Sequence, residues 1–143
     1  MTHITPSVRA ELARAVGSER LTSQPEDLLV AGYDATPQAA LGPERPTPEV
    51  VIYPERTLHV QRVLRIAHEH RIPVYPRGAG TGLTGGAVPV AGGIVLDLSR
   101  MNRIISIDEE NLTAVVEPGV VVSDLQTEVE KRGLFYPPDP ASA

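Results

Sequence analysis

Pro76-Arg77-Gly78-Ala79-Gly80-Thr81-Gly82-Leu83-Thr84-Gly85-Gly86 carries five glycines in eleven residues and follows a short apolar run, Pro73-Val74-Tyr75. Glycine tolerates positive φ and lets a ligand approach the main chain closely. Successive amides in such a turn can point inward and hold an anion. The stretch therefore reads as a phosphate or pyrophosphate cradle, with a flexible glycine-rich surface loop as the alternative. Two familiar phosphate loops can be tested against it. The nucleoside-triphosphate loop needs a lysine after its last glycine, but Gly86 and Ala87 follow Gly85, and residues 78–99 contain neither lysine nor arginine. Gly80-Thr81-Gly82-Leu83-Thr84-Gly85 has the spacing of the dinucleotide fingerprint, which must open a helix. Gly86, Pro89, Gly92 and Gly93 leave no helical period before Ile94, so a Rossmann-type NAD site does not fit.

Working outward, Val50-Val51-Ile52-Tyr53 reads as a short strand ended by Pro54. Thr57 to Arg71 reads as an amphipathic helix with Val60, Val63, Leu64 and Ala67 as its apolar stripe. With Pro73-Val74-Tyr75 this makes a βαβ unit, whose strands should be parallel. Ile94 to Leu98 is a third strand. Arg103–Ile107 and Thr113–Glu117 flank Asp108-Glu109-Glu110-Asn111-Leu112 as a hairpin. Ser123-Asp124-Leu125-Gln126 has capping-box spacing and opens a helix to Arg132, with Gly133 as its stop. On the N-terminal side, Thr5-Pro6 caps a helix whose apolar positions are Val8, Leu12 and Val16, with Gly17 as its stop. Ser23-Gln24-Pro25-Glu26 has capping-box spacing for a second, short helix. Pro37, Pro43, Pro46 and Pro48 mark residues 34–49 as an irregular connection.

The chain has 143 residues, 41% apolar and 22% charged, which fits one globular domain with a real core. Its formal net charge is −5, and the basic residues cluster only around Arg62, Arg65 and Arg71, so nucleic acid is not an expected partner. Cysteine is absent, which excludes disulfides, iron–sulfur clusters, zinc–thiolate sites and a cysteinyl link to a cofactor. No apolar run reaches the roughly 18 residues of a membrane span, and the N-terminus lacks a secretion signal. The expected compartment is the cytoplasm, with peripheral membrane association left open.

From residue 49 onward the chain resembles the PCMH-type FAD-binding domain of the vanillyl-alcohol-oxidase and p-cresol-methylhydroxylase superfamily, and within it the glycolate oxidase and D-lactate dehydrogenase branch. The residues that carry the resemblance are Val51-Ile52-Tyr53-Pro54, Pro76 to Gly82, Asp97-Leu98-Ser99-Arg100-Met101-Asn102, Glu117-Pro118-Gly119 and Pro137-Pro138-Asp139-Pro140-Ala141-Ser142, in family order and at family spacing. The resemblance implies an α+β architecture: a small parallel β set with flanking helices, then the start of a second, antiparallel lobe. It divides the chain into an N-terminal lead with a proline-rich connection, 1–47, and the first part of the FAD-binding domain, 48–143. It implies that the amides of Pro76 to Gly82, with Arg77, Gly78, Ala79, Gly80 and Thr81 between them, wrap the FAD pyrophosphate. Leu83, Thr84 and Gly85 would continue along the cofactor. Pro118, Gly119, Asp139, Pro140 and Ser142 would lie near its adenosine and flavin parts. Pro118-Gly119 can equally be an ordinary turn after a strand. Some members of the superfamily bind flavin covalently through a histidine in this loop. Residues 71–143 contain no histidine, so non-covalent FAD is expected. The implied reaction is hydride transfer from the α-carbon of a D-2-hydroxy acid to flavin N5, with catalytic residues supplied by a cap domain beyond residue 143. Ala143 falls inside a family motif, and these residues alone are not expected to be active. A complete, non-catalytic FAD- or nucleotide-binding module, a truncated remnant, a homodimer and a partner polypeptide completing the site all remain open.

Other residues are expected to be structural. His68 and His70 lie about 200° apart on their helix, and His59 and His70 about 16 Å apart, so neither pair shares a metal. His3, His59, His68 and His70 are expected to be solvated. Asp108, Glu109, Glu110 and Glu117 read as a solvated hairpin turn, and Tyr33-Asp34 is given no chemical role.

Overall fold

The computed structural model describes residues 3–37 and 46–138. Helix α1 (Pro6–Val16) starts where expected: Thr5 Oγ1 accepts the Val8 amide at 3.3 Å and Pro6 sits in the first turn. It buries Val8, Leu12 and Val16 and stops at Gly17, whose φ is 94°. A single 3₁₀ turn leads into strand β1 (Leu21–Thr22), which is too short to announce itself by periodicity. Helix α2 (Pro25–Ala31) follows, but not from a capping box. Its N-cap is Gln24 without a side-chain bond. The Ser23 hydroxyl is taken instead by Arg9 Nη1 at 3.0 Å, while Thr22 Oγ1 accepts the Gln24 amide and donates to Asp27.

Strand β2 (Val50–Ile52), helix α3 (Thr57–Glu69), strand β3 (Val74–Arg77) and strand β4 (Ile94–Asp97) form the expected parallel unit. The sheet order is β1-β2-β4-β3, so β4 lies between the two strands of the βαβ unit and pairs in parallel with both, Val50 and Val74 each facing Ile94. β1 adds an antiparallel strand at the β2 edge. β3 is an edge strand, which is where Pro76 can sit without breaking a ladder.

Alternation across the pleat explains why these strands read as unbroken apolar runs. Val50, Ile52, Ile94 and Leu96 face α1 and α3, where Leu12, Val16, Val63, Ile66 and Ala67 close the main core. Val51 and Val95 face the other way, against Ala31 and Leu28 of α2. Each such fully buried aliphatic side chain stabilises by about 1.5–3 kcal/mol. α1, though outside the segment that carries the resemblance, is therefore part of the same core.

The stripe of α3 is turned from its expected position. His59, Val63, Ile66 and Ala67 are buried, Val60 is half-buried and Leu64 is exposed. The helix docks on α1 as well as on the sheet, and that double contact draws in Ile66 rather than Leu64. His59 is thus not solvated. It is 8% exposed, its Nδ1 accepts the Glu55 amide at 3.3 Å, and burial, followed by the charges of Arg20 and Arg56, lowers its pKa. The helix ends at Glu69 rather than Arg71. The Arg71 amide bonds to His68 O and the Ile72 amide to Ala67 O, a C-terminal motif that puts Arg71 at φ 54°.

The second lobe begins with the expected hairpin, β5 (Ile104–Asp108) and β6 (Thr113–Val116), in a separate antiparallel sheet. Asp108 Oδ1 accepts the Glu110 and Asn111 amides and closes the turn. Helix α4 (Val122–Glu130) starts one residue before Ser123, with Val121 as an N-cap that makes no side-chain bond. The Gln126 amide group, expected in a capping box, instead donates to Pro138 O at 2.9 Å. The helix ends at Glu130 with Lys131 as its C-cap, short of the expected Arg132, and Gly133 follows at φ 71°. Between the hairpin and α4 lies an apolar groove of about 480 Å³, lined by Ile107, Leu112, Val116, Leu125, Val129 and Phe135 among others.

Glu117 also departs from expectation. It is 6% exposed and its carboxylate takes the Arg103 amide at 2.9 Å and both Nε and Nη2 of Arg103. The Arg103 side chain, then the Arg103 amide, hold its pKa below the ordinary 4.5. A depressed carboxylate pKa contributes stability that is present above the unfolded value and is lost as pH falls through the folded one. In urea titrations from neutral pH down through the carboxylate range, Glu117→Gln is expected to be less stable than the parent at neutral pH and to lose less on acidification. An identical pH slope in the two proteins would remove Glu117 from that role.

Candidate cofactor site

The loop from Gly78 to Gly93 leaves the carboxyl end of β3 and returns to the amino end of β4 without forming a helix. Arg77 opens it. Its Nη1 donates to Tyr33 O at 2.7 Å, and its guanidinium lies on Gly80, where a Cβ would sit 2.2 Å from Nη2. Gly80 has φ 73° and Gly85 has φ 75°. Gly82 is different: its φ is unexceptional, and a Cβ there would have room, 3.6 Å from Asp34 Oδ2.

Among the described residues, the amides of Gly78, Ala79, Gly80, Thr81, Gly82, Leu83 and Thr84 donate to no acceptor. Six of these seven residues are exposed, all but Gly80, which leaves their donors to solvent or to a ligand. Gly78 and Gly86 have nothing within 4 Å of where a Cβ would be, so the chain is open to approach there. The donor set is neutral apart from Arg77, which suits a diphosphate held by amides and one guanidinium. On these observations the residues present fit the phosphate part of a dinucleotide.

The segment Tyr33–Thr36, given no role from the sequence, proves to be the loop's support. Besides the Arg77–Tyr33 bond, the Ala35 amide donates to Gly80 O at 3.1 Å and the Gly85 amide donates to Thr36 Oγ1 at 2.6 Å. Asp34 between them is 9% exposed. Its Oδ1 accepts the Thr36 amide at 2.9 Å, while its buried Oδ2 has no partner among the described residues. Burial pushes the Asp34 pKa up, but the Thr36 hydroxyl and amide, the Ala87 amide and the Arg77 charge outweigh it, and the carboxyl is held below its usual range. The Asp-x-Thr spacing is a local turn signal that could have marked this segment. Its contact with the loop, across more than forty residues of chain, could not be read from the sequence.

Pro118 and Gly119 are placed by packing. The Gly119 amide donates to Met101 O at 2.8 Å, and a Cβ there would lie 2.3 Å from Leu98 O, so this glycine lets two main chains touch. Asp139, Pro140 and Ser142 lie outside the described residues. Among the described residues no group of three or more histidine or acidic side chains could hold a metal ion, and no helix is long and apolar enough to cross a membrane.

Open parallel sheets receive ligands outside the carboxyl ends of their strands, and here that end carries a glycine loop with unspent amides. Fold and loop together define a dinucleotide-binding domain. The chain belongs to the FAD binding domain family, which matches residues 48–143. It is 48% identical over 139 residues to the glycolate oxidase subunit GlcD of Bacillus subtilis (strain 168), covering 97% of this chain and 28% of that protein. It is 45% identical over 93 residues to the D-lactate dehydrogenase of Anaerostipes hadrus, covering 65% of this chain and 20% of that protein. Substrate-bound p-cresol methylhydroxylase superposes with a TM-score of 0.77 at 26% identity, over 90% of this chain and 25% of that structure. The α+β PCMH-type fold is thereby shown, with FAD as the cofactor of the family. The chain spans between a fifth and three-tenths of the length of these curated relatives.

Proposed function

We propose that these residues are the cofactor-binding portion of a flavin-dependent oxidoreductase acting on a D-2-hydroxy acid of the glycolate or D-lactate type, in the cytoplasm, with FAD held non-covalently. The observation that carries this reading is the run of uncommitted amides from Gly78 to Thr84 beside Arg77. Gly78 to Gly85 would hold the linked phosphates. Arg77 would add one charge, and Tyr33 to Thr36 would keep the loop in shape. When bound, FAD supplies a hydride acceptor at N5, so that a 2-hydroxy acid leaves as the 2-oxo acid. Residues 48–143 would serve the cofactor, with 1–47 as a buttressing lead. The rest of the site would come from further polypeptide of the same chain, a second copy or a partner subunit.

The full-length polypeptide is expected to purify yellow, to release its flavin on acid precipitation, and to bleach when D-lactate or glycolate is added without oxygen. Flavin left in the precipitate would overturn non-covalent binding. A yellow protein that neither acid bleaches would overturn the substrate class, and one that takes up no FAD would overturn the whole reading. Residues 1–143 alone are expected to bind FAD weakly or not at all.

A further inference from the structure

The chain leaving β4 turns at once. The Met101 amide donates to Leu98 O at 2.9 Å, with Ser99 and Arg100 at the corner, both exposed. This turn is held from three sides. The Leu98 amide donates to Arg77 O at 2.8 Å, the Ser99 amide to Asp97 Oδ1 at 3.0 Å, and the Gly119 amide to Met101 O at 2.8 Å. Gly119 packs so closely on Leu98 O and on Ser99 C that a Cβ would overlap both. Two donors are left over. Among the described residues, the Ser99 hydroxyl and the Arg100 amide donate to no acceptor.

Their place in the fold narrows what they can serve. β3 and β4 are paired, Arg77 facing Asp97. The turn after β4 and the start of the glycine loop therefore leave the sheet side by side, about 5 Å apart. The amides of Gly78 and Ala79 are uncommitted too. Two hydrogen bonds of about 2.9 Å each to one oxyanion reach across up to about 5.8 Å, so donors on the two exits can share a phosphate. Ligands of open parallel sheets settle outside such carboxyl ends. The Arg100 guanidinium is engaged elsewhere. It lies 4.8 Å over the Tyr53 ring and 3.5 Å from Glu55 Oε1, beyond the β2 edge of β4 and away from β3.

We propose that Ser99 is a further cofactor-binding residue, its hydroxyl and the Arg100 amide donating to the diphosphate from the β4 side while the loop amides hold it from the β3 side. The proposal rests on the reading of the loop given above and adds a second wall to that site. Gly119 then serves the cofactor by seating the turn.

The full-length protein, freed of FAD and reloaded, tests this. On adding FAD, hydrogen exchange is expected to slow at the Arg100 amide together with those of Gly78 and Ala79. Ser99→Ala is expected to bind FAD about ten- to a hundredfold more weakly, the scale of one hydrogen bond to a charged acceptor. Ser99→Thr keeps the hydroxyl and is expected to restore most of that affinity. Ser99 is exposed and Asp97 holds only its amide, so FAD-free Ser99→Ala should melt with the wild type. If it melts lower, exchange at Arg100 in the wild type decides alone. Protection of Gly78 and Ala79 without Arg100 overturns the proposal. So does a Ser99→Ala that binds like the wild type while Gly80→Val does not bind. A loss that Ser99→Thr fails to restore overturns it as well, since the hydroxyl is then not the group that matters. If Gly80→Val also binds FAD normally, the reading of the loop fails, and the role of Ser99 fails with it.

Discussion

Gly93→Ala is expected to destabilise the protein by about 3 kcal/mol or more, a large share of the 5–15 kcal/mol that holds a typical domain together. Gly93 stands at the entry to β4, the strand that joins β2 to β3. Its φ is 79°, and a Cβ would lie 2.4 Å from Pro73 O and 2.7 Å from Pro73 Cγ. Left-handed backbone alone costs an alanine about 1–2 kcal/mol, and overlap with fixed atoms adds about 1–3. Neither neighbour can yield cheaply. Pro73 O accepts the Ile94 amide at 3.0 Å, and Gly93 O accepts the Glu49 amide at 2.8 Å. A methyl group here pushes the start of β4 away from the chain that leads into β3. Urea unfolding followed by circular dichroism provides the measurement, with Gly86→Ala as the control, since nothing lies within 4 Å of a Cβ at that position. Equal midpoints for the two variants would show that β4 tolerates displacement from Pro73.

Gly80→Val is expected to abolish retention of FAD, weakening it by at least about a hundredfold, the equivalent of ~2.7 kcal/mol. The side chain meets the Arg77 guanidinium, 2.2 Å from Nη2 and 2.5 Å from Cζ, and a β-branched residue strongly resists φ 73°. Arg77 would leave Tyr33 O, and the loop would lose its first anchor as well as its turn. Gly82→Ala is the informative companion. Its backbone is unstrained and its Cβ has space, so it should fold normally, and any loss of FAD there reports obstruction of the ligand rather than distortion of the loop. Flavin absorbance after purification and dilution reads both. A folded Gly80→Val that stays yellow would remove the loop from the phosphate site.

What the sequence revealed was mostly local. Thr5-Pro6 and Gly17 bracket α1 because caps act within one turn, and the glycine spacing located the loop because backbone conformation is a near-neighbour property. Parallel strands followed from the strand–helix–strand order. The insertion of β4 between β2 and β3 did not, because periodicity says which face of a strand is buried but not which strand lies beside it. The capping boxes at Ser23 and Ser123 failed for a related reason. Arg9 claims Ser23, and Pro138 claims Gln126, across distances that a four-residue motif does not contain. Glu117 looked solvated until Arg103, fourteen residues away, was seen to wrap it. His59 looked solvated until the fold buried it and gave its Nδ1 the Glu55 amide. Asp34 was silent because the loop residues around it, Gly82 and Arg77 among them, are brought to it by the fold.

Neighbouring parallel strands need a crossover, usually a helix. Between β3 and β4 that crossover is the glycine loop itself. Occupancy and architecture therefore share one stretch of chain. Ligand that favours the ordered crossover over the open one adds its binding free energy to the pairing of β3, about 2.7 kcal/mol when free ligand exceeds the dissociation constant a hundredfold. The empty protein should fray first at that edge and be the form that proteases recognise. On the reading proposed above, the supply of FAD would then set how long the polypeptide survives.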